Sequence, residues 1–420
     1  MRSNLLRSVL TSVFSFELLF TLYLLAGRFK GDPRFAWFPV DITFFFFLLS
    51  LLSGLIILIK KKLKITSHQL LGMMLYLLFA GWVLTTLSWA PPSSYAWDKA
   101  LRIFALVSWA YVGSAWIIAT DYRRTHRFFT SLVGFALWFS VEALLAYLGL
   151  TSLGGGAPEI MGGNYLGIGR VVGLGFGVLA VSFLLTSQTN RLIKVTQVSL
   201  MVFFVLVLLV IGGRGPLLAT AIAFAITFLL MRRVRSVLYV VVLVAVTILA
   251  SLQVQAFLQL STLHRLAVLL EEPSGGTSAE GRLMRVGAAL RQIQDSPLIG
   301  QGLGSFFYYY GEPGLLRDYP HNIVLEILAE AGIVGLFLFL INVLYAFSRI
   351  PWKKIGKHQL WLTTLFALLN TTLNAMASGD IPDNRLLFVA LGLVIGLELP
   401  SSTKTWRLKW ESKGGIRSSM

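Results

Sequence analysis

The sequence predicts an all-α, polytopic integral membrane protein, and three observations lead there. Hydrophobic residues fill 56% of the 420 positions, whereas Asp, Glu, Lys and Arg supply 13%, against about a quarter in a water-soluble domain. Apolar runs of about 20 residues, the length that crosses a bilayer core as a helix, recur along the whole chain. The connections between those runs alternate between strongly basic and nearly free of Lys and Arg, as expected when successive loops lie on opposite sides of a membrane.

Taken in order, the runs give about 12 transmembrane helices, placed at 8–27, 38–59, 68–89, 98–119, 128–150, 165–187, 193–212, 215–231, 235–254, 321–347, 359–378 and 384–400. The first follows Arg2 and Arg7 and has no small-residue cleavage site behind it, so it is read as an anchor and not as a signal peptide. One set of connections holds Lys60 to Lys64, Arg123 to Arg127, Arg191 with Lys194, Arg232 to Arg235, and Arg349 to Lys357. With the two termini this set accounts for 23 of the 36 basic residues. The opposite set includes the Pro91–Tyr95 turn and the Thr151–Asn164 loop, which have none. Both termini are therefore expected in the cytoplasm. The net charge of +17 becomes a topology signal, which removes the motive for nucleic-acid binding. With no cysteine, disulfides, thiol catalysis and thiolate metal sites are excluded.

The expected organisation is one membrane domain over 1–420, with 255–320 as a large, partly helical periplasmic loop or cap between spans nine and ten. Loops of this length are functional or disordered, and the aromatic and apolar content favours a folded cap. A helix is predicted from about Ser278 to Gln294, followed by the glycine-rich run Pro297–Gly304 and Tyr308–Tyr310.

Thirteen basic residues fall on or near the outer side. Arg28, Lys30 and Arg34 are read as solvated. The others are Lys99, Arg102, Arg170, Arg214, Arg265, Arg282, Arg285, Arg291, Arg317 and Arg385, so the long loop carries five arginines and no lysine. Arginine suits two-point recognition of phosphate or carboxylate; the competing reading pairs these side chains with the loop's own acids, such as Asp295 and Asp318. Arg214 stands in Gly212-Gly-Arg-Gly-Pro216, a break between apolar runs, and a cation at membrane depth is a functional hypothesis by default. Arg170 lies near the outer end of span six, among glycines read as close helix packing and not as a phosphate loop.

Of five histidines, His264 and His321 lie outside. Pro320 suits a first helical turn, which would set His321 at the positive end of a helix dipole, favouring the neutral imidazole of a general base. A helix-capping histidine is the alternative. No second ligand at suitable spacing supports a metal. Asp380 and Asp383, in Gly379-Asp-Ile-Pro-Asp383, either orient His321, bind an acceptor, or simply form the turn.

Gly281-Arg282, then Pro297-Leu-Ile-Gly-Gln-Gly-Leu-Gly304, then Pro320-His-Asn322, with Glu326, Glu330, Gly332 and Gly335, resembles the signature of the O-antigen ligase and polymerase superfamily. The arginine in the break before a mid-chain span also fits that family. The resemblance implies a glycosyltransferase of the bacterial inner membrane with a periplasmic active site and no cofactor. Its donor would be an undecaprenyl-pyrophosphate-linked glycan and its acceptor the lipid A-core of lipopolysaccharide. It implies that His321 is the base and that Arg214 and Arg282 stabilise the leaving pyrophosphate, in an inverting, metal-independent reaction. Arg285, Arg170, Arg265, Asn322 and Asp380 are the expected substrate-binding residues. A polymerase extending the lipid-linked glycan is the nearest alternative. A lipid or solute transporter is the more distant one, since it calls for an internal repeat or paired discontinuous helices.

Overall fold

The computed structural model describes residues 15–61, 65–149, 159–185, 190–231, 277–310 and 317–398, together with isolated positions 238, 240–242, 244–245 and 262. Its helices are α1 (Phe16–Leu25), α2 (Ile42–Lys61), α3 (Ser67–Thr85), α4 (Ser94–Ile118), α5 (Tyr122–Tyr147), α6 (Tyr165–Leu185), α7 (Arg191–Val210), α8 (Arg214–Leu229), α9 (Thr277–Asp295), α10 (Ile323–Arg349), α11 (Gln359–Ala375) and α12 (Arg385–Gly396). Seven of them, α2 to α7 and α10, are long and apolar enough to cross a membrane. The chain is thus a multi-pass helical membrane protein. One two-stranded ribbon, Glu159–Ile160 against Gly163–Asn164, is added to the helices. Span nine of the sequence reading, and the stretch after it up to Gly276, lie mostly outside the described residues, and so does Arg265.

Large apolar side chains on α2 (Phe44, Leu48, Leu52, Leu55 and Ile59) are exposed on one helical face. With no competing aqueous role, that face is read as lipid-facing. By contrast α6 is buried over most of its surface. Its glycines admit neighbours directly: a Cβ on Gly173 would strike Thr220 of α8, one on Gly175 would strike Ala136 of α5 at 2.5 Å, and one on Gly177 would enter the ring of Phe366 on α11. This is small-residue helix packing, and it sets the outer end of α6, with Arg170, among α8, α11 and the start of α12.

The other organising feature is a break in α10 at Gly332, whose φ of 66° and ψ of −169° belong to a region essentially reserved for glycine. The break frees backbone groups, and the glycine-rich run 297–304 satisfies them. Gln301 and Gly302 N–H donate to the carbonyls of Ala329 and Glu330, both at 3.0 Å, while Ile333 N–H donates to Pro297 O at 2.9 Å. Trp82 Nε1 donates to Ala331 O at 2.8 Å. Those glycines therefore serve to insert a loop into a split helix, which fastens α9 to α10.

Candidate functional site

His321 lies before α10 and not within it. Its φ is 58°, a left-handed conformation unusual for a residue with a side chain. Asn322 is the N-cap, its Oδ1 accepting from Val324 N at 3.0 Å and Leu325 N at 3.1 Å. The sequence reading of Pro320 in the first helical turn is corrected: Asn supplies a far better cap than His, and the helix starts two residues later. Asn322, expected to bind substrate, is occupied in this cap and also donates its Nδ2 to Met376 O at 3.1 Å. The His321 ring packs on Tyr319 with centroids 4.5 Å apart, and its Nδ1 faces Ser378 Oγ at 3.4 Å. Burial, then the Arg285 and Arg282 guanidiniums, lower the imidazole pKa to about 4, Asp318 pulling the other way. What favours the neutral ring here is burial and the arginine neighbours, where the sequence reading invoked a helix dipole.

Arg282 and Arg285 come from α9, whose described start at Thr277 and end at Asp295 agree with the predicted helix. Burial, and then the neighbouring Arg214 and Arg285, press the Arg282 pKa below its usual value. Arg214 is the first residue of α8, and the break before it is held from the long loop, where Thr262 Oγ1 accepts from Gly212 N at 2.8 Å. Arg214 and Arg282 thus lie close enough for each to oppose the other's charge. Arg285 is engaged differently. Its Nε and Nη2 reach the Asp318 carboxylate at 3.0–3.2 Å, and it lies 4.4 Å over the Tyr310 ring. Pairing with the loop's own acid, the competing reading of the sequence, is what the structure contains for Arg285.

The other face of His321 carries a buried ionic network. Arg170 is 7% exposed and donates to Asn384 Oδ1 at 3.1 Å. Asp380 is fully buried, accepting from Tyr95 OH at 2.9 Å and from Arg317 at 2.9 Å. Arg317 also reaches Asp383 at 3.2 Å. The Asp380 carboxylate thus organises its turn from within. One expectation in the first loop is corrected: Arg28 is half-buried and packs its guanidinium on Gly167 of α6. Lys30 and Arg34 are exposed, as expected, and pair at the surface with Asp41 and with Asp32 and Glu142.

Sequence reasoning missed the centre of this network. Lys99 of α4 contacts Glu326 at 2.5 Å and Glu330 at 2.6 Å, all three side chains at most 1% exposed. The signal was present: two carboxylates four apart share one helical face, and acids in an otherwise apolar span require a partner. Among the described residues no group of three or more His, Asp or Glu side chains is placed to hold a metal ion.

The arrangement sets the His321 imidazole between the α9 arginines Arg282 and Arg285 and the turn before α12 that carries Ser378 and Asp380. Residues 199–340 match the family model described as O-antigen ligase. The match takes in Arg214, Arg282, Arg285, His321, Glu326 and Glu330, and leaves out Arg170, Lys99 and Asp380. A search of the curated proteins found no match.

Proposed function

We propose, from the match of residues 199–340 to the O-antigen ligase family model, that this protein transfers a glycan from undecaprenyl pyrophosphate to a sugar hydroxyl of lipid A-core. Enzymes of that family act on lipid-linked glycans. The observation that carries the reading is His321, held at a left-handed φ before α10 with Ser378 at its Nδ1 and Arg282 nearby.

The acceptor hydroxyl oxygen attacks the anomeric carbon of the donor sugar from the face opposite the pyrophosphate. The bond from that carbon to the pyrophosphate oxygen breaks, and its electron pair leaves with undecaprenyl pyrophosphate. The hydroxyl proton passes to His321: with Nδ1–H donating to Ser378 Oγ, Nε2 is the nitrogen that accepts it. Single displacement inverts the anomeric centre. Arg214 and Arg282 meet the charge that develops on the departing oxygen, and no metal ion is assigned to that task. Arg285 and Asn322 hold His321 in place. Arg170 and Asp380 support the opposite face, and Arg265 remains a donor-binding proposal from the sequence. In this reading the chain has about twelve crossings, with both termini cytoplasmic, the site periplasmic and 255–320 forming the cap.

Gene deletion followed by analysis of surface glycans tests the assignment. A ligase predicts bare core and accumulated lipid-linked polymer. Core capped with a single repeat unit would instead assign the polymerase reaction, and unchanged glycans would exclude both.

A further inference from the structure

We propose that Glu326 is a positioning residue, its carboxylate holding the Ser378–Asp383 turn in register with His321. The inference rests on the reading that His321 takes the acceptor's proton.

Burying Lys99, Glu326 and Glu330 is costly, and apolar side chains of equal volume would join α4 to α10 at least as well. The charges therefore call for a task that packing cannot perform, and the geometry supplies one. A single oxygen, Glu326 Oε1, accepts both from Lys99 Nζ at 2.5 Å and from Ile381 N at 3.1 Å. Its companion Oε2 is buried with no hydrogen-bond partner. Lys99, itself held by Glu330, fixes and neutralises a carboxylate whose one backbone contact is to the turn.

The turn is otherwise hard to place. Gly379 has a φ of 81°, and Asp380 turns inward to Tyr95 and Arg317. Two side chains from the first turn of α10 reach it: Asn322 donates to Met376 O, and Glu326 accepts from Ile381 N. Both lie within five residues of His321, so histidine and turn share one frame. Ser378, facing His321 Nδ1, lies between the two anchor points.

The test uses the purified full-length protein in detergent, with a synthetic undecaprenyl-pyrophosphate-linked repeat unit as donor and lipid A-core as acceptor. Glu326→Leu removes the acceptor oxygen. Glu326→Gln keeps Oε1 for both contacts and places its amide nitrogen where the partnerless oxygen stands. Ile381→Pro removes the donor hydrogen at a φ of −51° that proline adopts, and leaves Lys99, Glu326 and Glu330 intact. Two readouts are taken: hydrogen exchange over residues 376–384, and kcat separately from donor KM.

Glu326→Leu and Ile381→Pro are expected to expose the turn to exchange and to lower kcat at least about 30-fold, with donor KM within about 3-fold, the pattern of lost transition-state alignment. Glu326→Gln is expected to keep protection and to stay within about 5-fold of the parent, because a neutral acceptor at the same position preserves the bond. Undiminished kcat in folded Ile381→Pro or Glu326→Leu would overturn the inference, as would Glu326→Gln matching Glu326→Leu. If the parent protein itself transfers nothing, the functional reading fails, while the exchange data still decide whether Glu326 holds the turn.

Discussion

Arg285 closes a two-point ion pair on Asp318, three residues ahead of His321, with N–O distances of 3.0–3.2 Å. Together with the Asn322 cap behind it, this clamps both sides of a histidine held at a left-handed φ of 58°. Such a conformation costs about 1–3 kcal/mol and persists only where its surroundings over-determine it.

If Arg285 acts through Asp318, Arg285→Ala and Asp318→Ala should each lower kcat about 10-fold or more, and the double variant should be no worse than the worse single one. A double-variant cycle on the purified enzyme checks this. Effects that multiply would show that Arg285 meets the substrate independently.

The depressed His321 pKa gives a pH prediction. A base must be unprotonated, so activity is lost as pH falls through the base's pKa. The kcat/KM profile reports the free enzyme, and its acid limb should fall near pH 4, well below the usual histidine value of 6.5. Bound pyrophosphate adds negative charge beside the ring and should raise the limb seen in kcat. An acid limb near 6.5 in kcat/KM would place the imidazole in a wetter, less cationic setting than the one described.

Gly332→Ala should remove most of the folded protein. A Cβ there would meet the Leu298 backbone, in a conformation that disfavours any side chain. Roughly 3 kcal/mol from the backbone alone is a large part of a marginal stability. Detergent thermal melting and membrane yield measure it, with Gly81→Ala on α3, where nothing stands within 4 Å of the added Cβ, as the control.

The helical membrane class was legible because lipid demands long apolar runs and the loops sort their charge. The α9 helix and the small-residue packing of α6 were legible for similar reasons of local pattern. Less could be read where tertiary pairing decides. Arg285 looked like an anion ligand until Asp318, 33 positions away, was seen to occupy it. Lys99 gave no sign of its partners, which come from a helix 231 residues further on. The Pro297–Gly304 glycines were recognisable as a motif, but their purpose required the break at Gly332 to be seen. Arg28 was read as solvated because a loop arginine carries no mark of the glycine surface it covers.

Arg214→Ala and Arg282→Ala should each lower kcat by about 10²–10³-fold, the range for removing one donor from a developing oxyanion. Lysine at either position should recover only part of the loss, since it cannot make the two-point contact that a guanidinium makes with phosphate. Full recovery by Lys would reduce the role of these residues to charge alone.

The central claim is that His321 takes the proton of the attacking hydroxyl. The most direct test is turnover of purified His321→Ala with lipid-linked donor and lipid A-core acceptor, after thermal melting shows the variant folded and undecaprenyl pyrophosphate still binds. The expected result is a kcat lowered by about 10²–10⁴-fold with donor affinity retained. Parental turnover in folded His321→Ala would contradict the account.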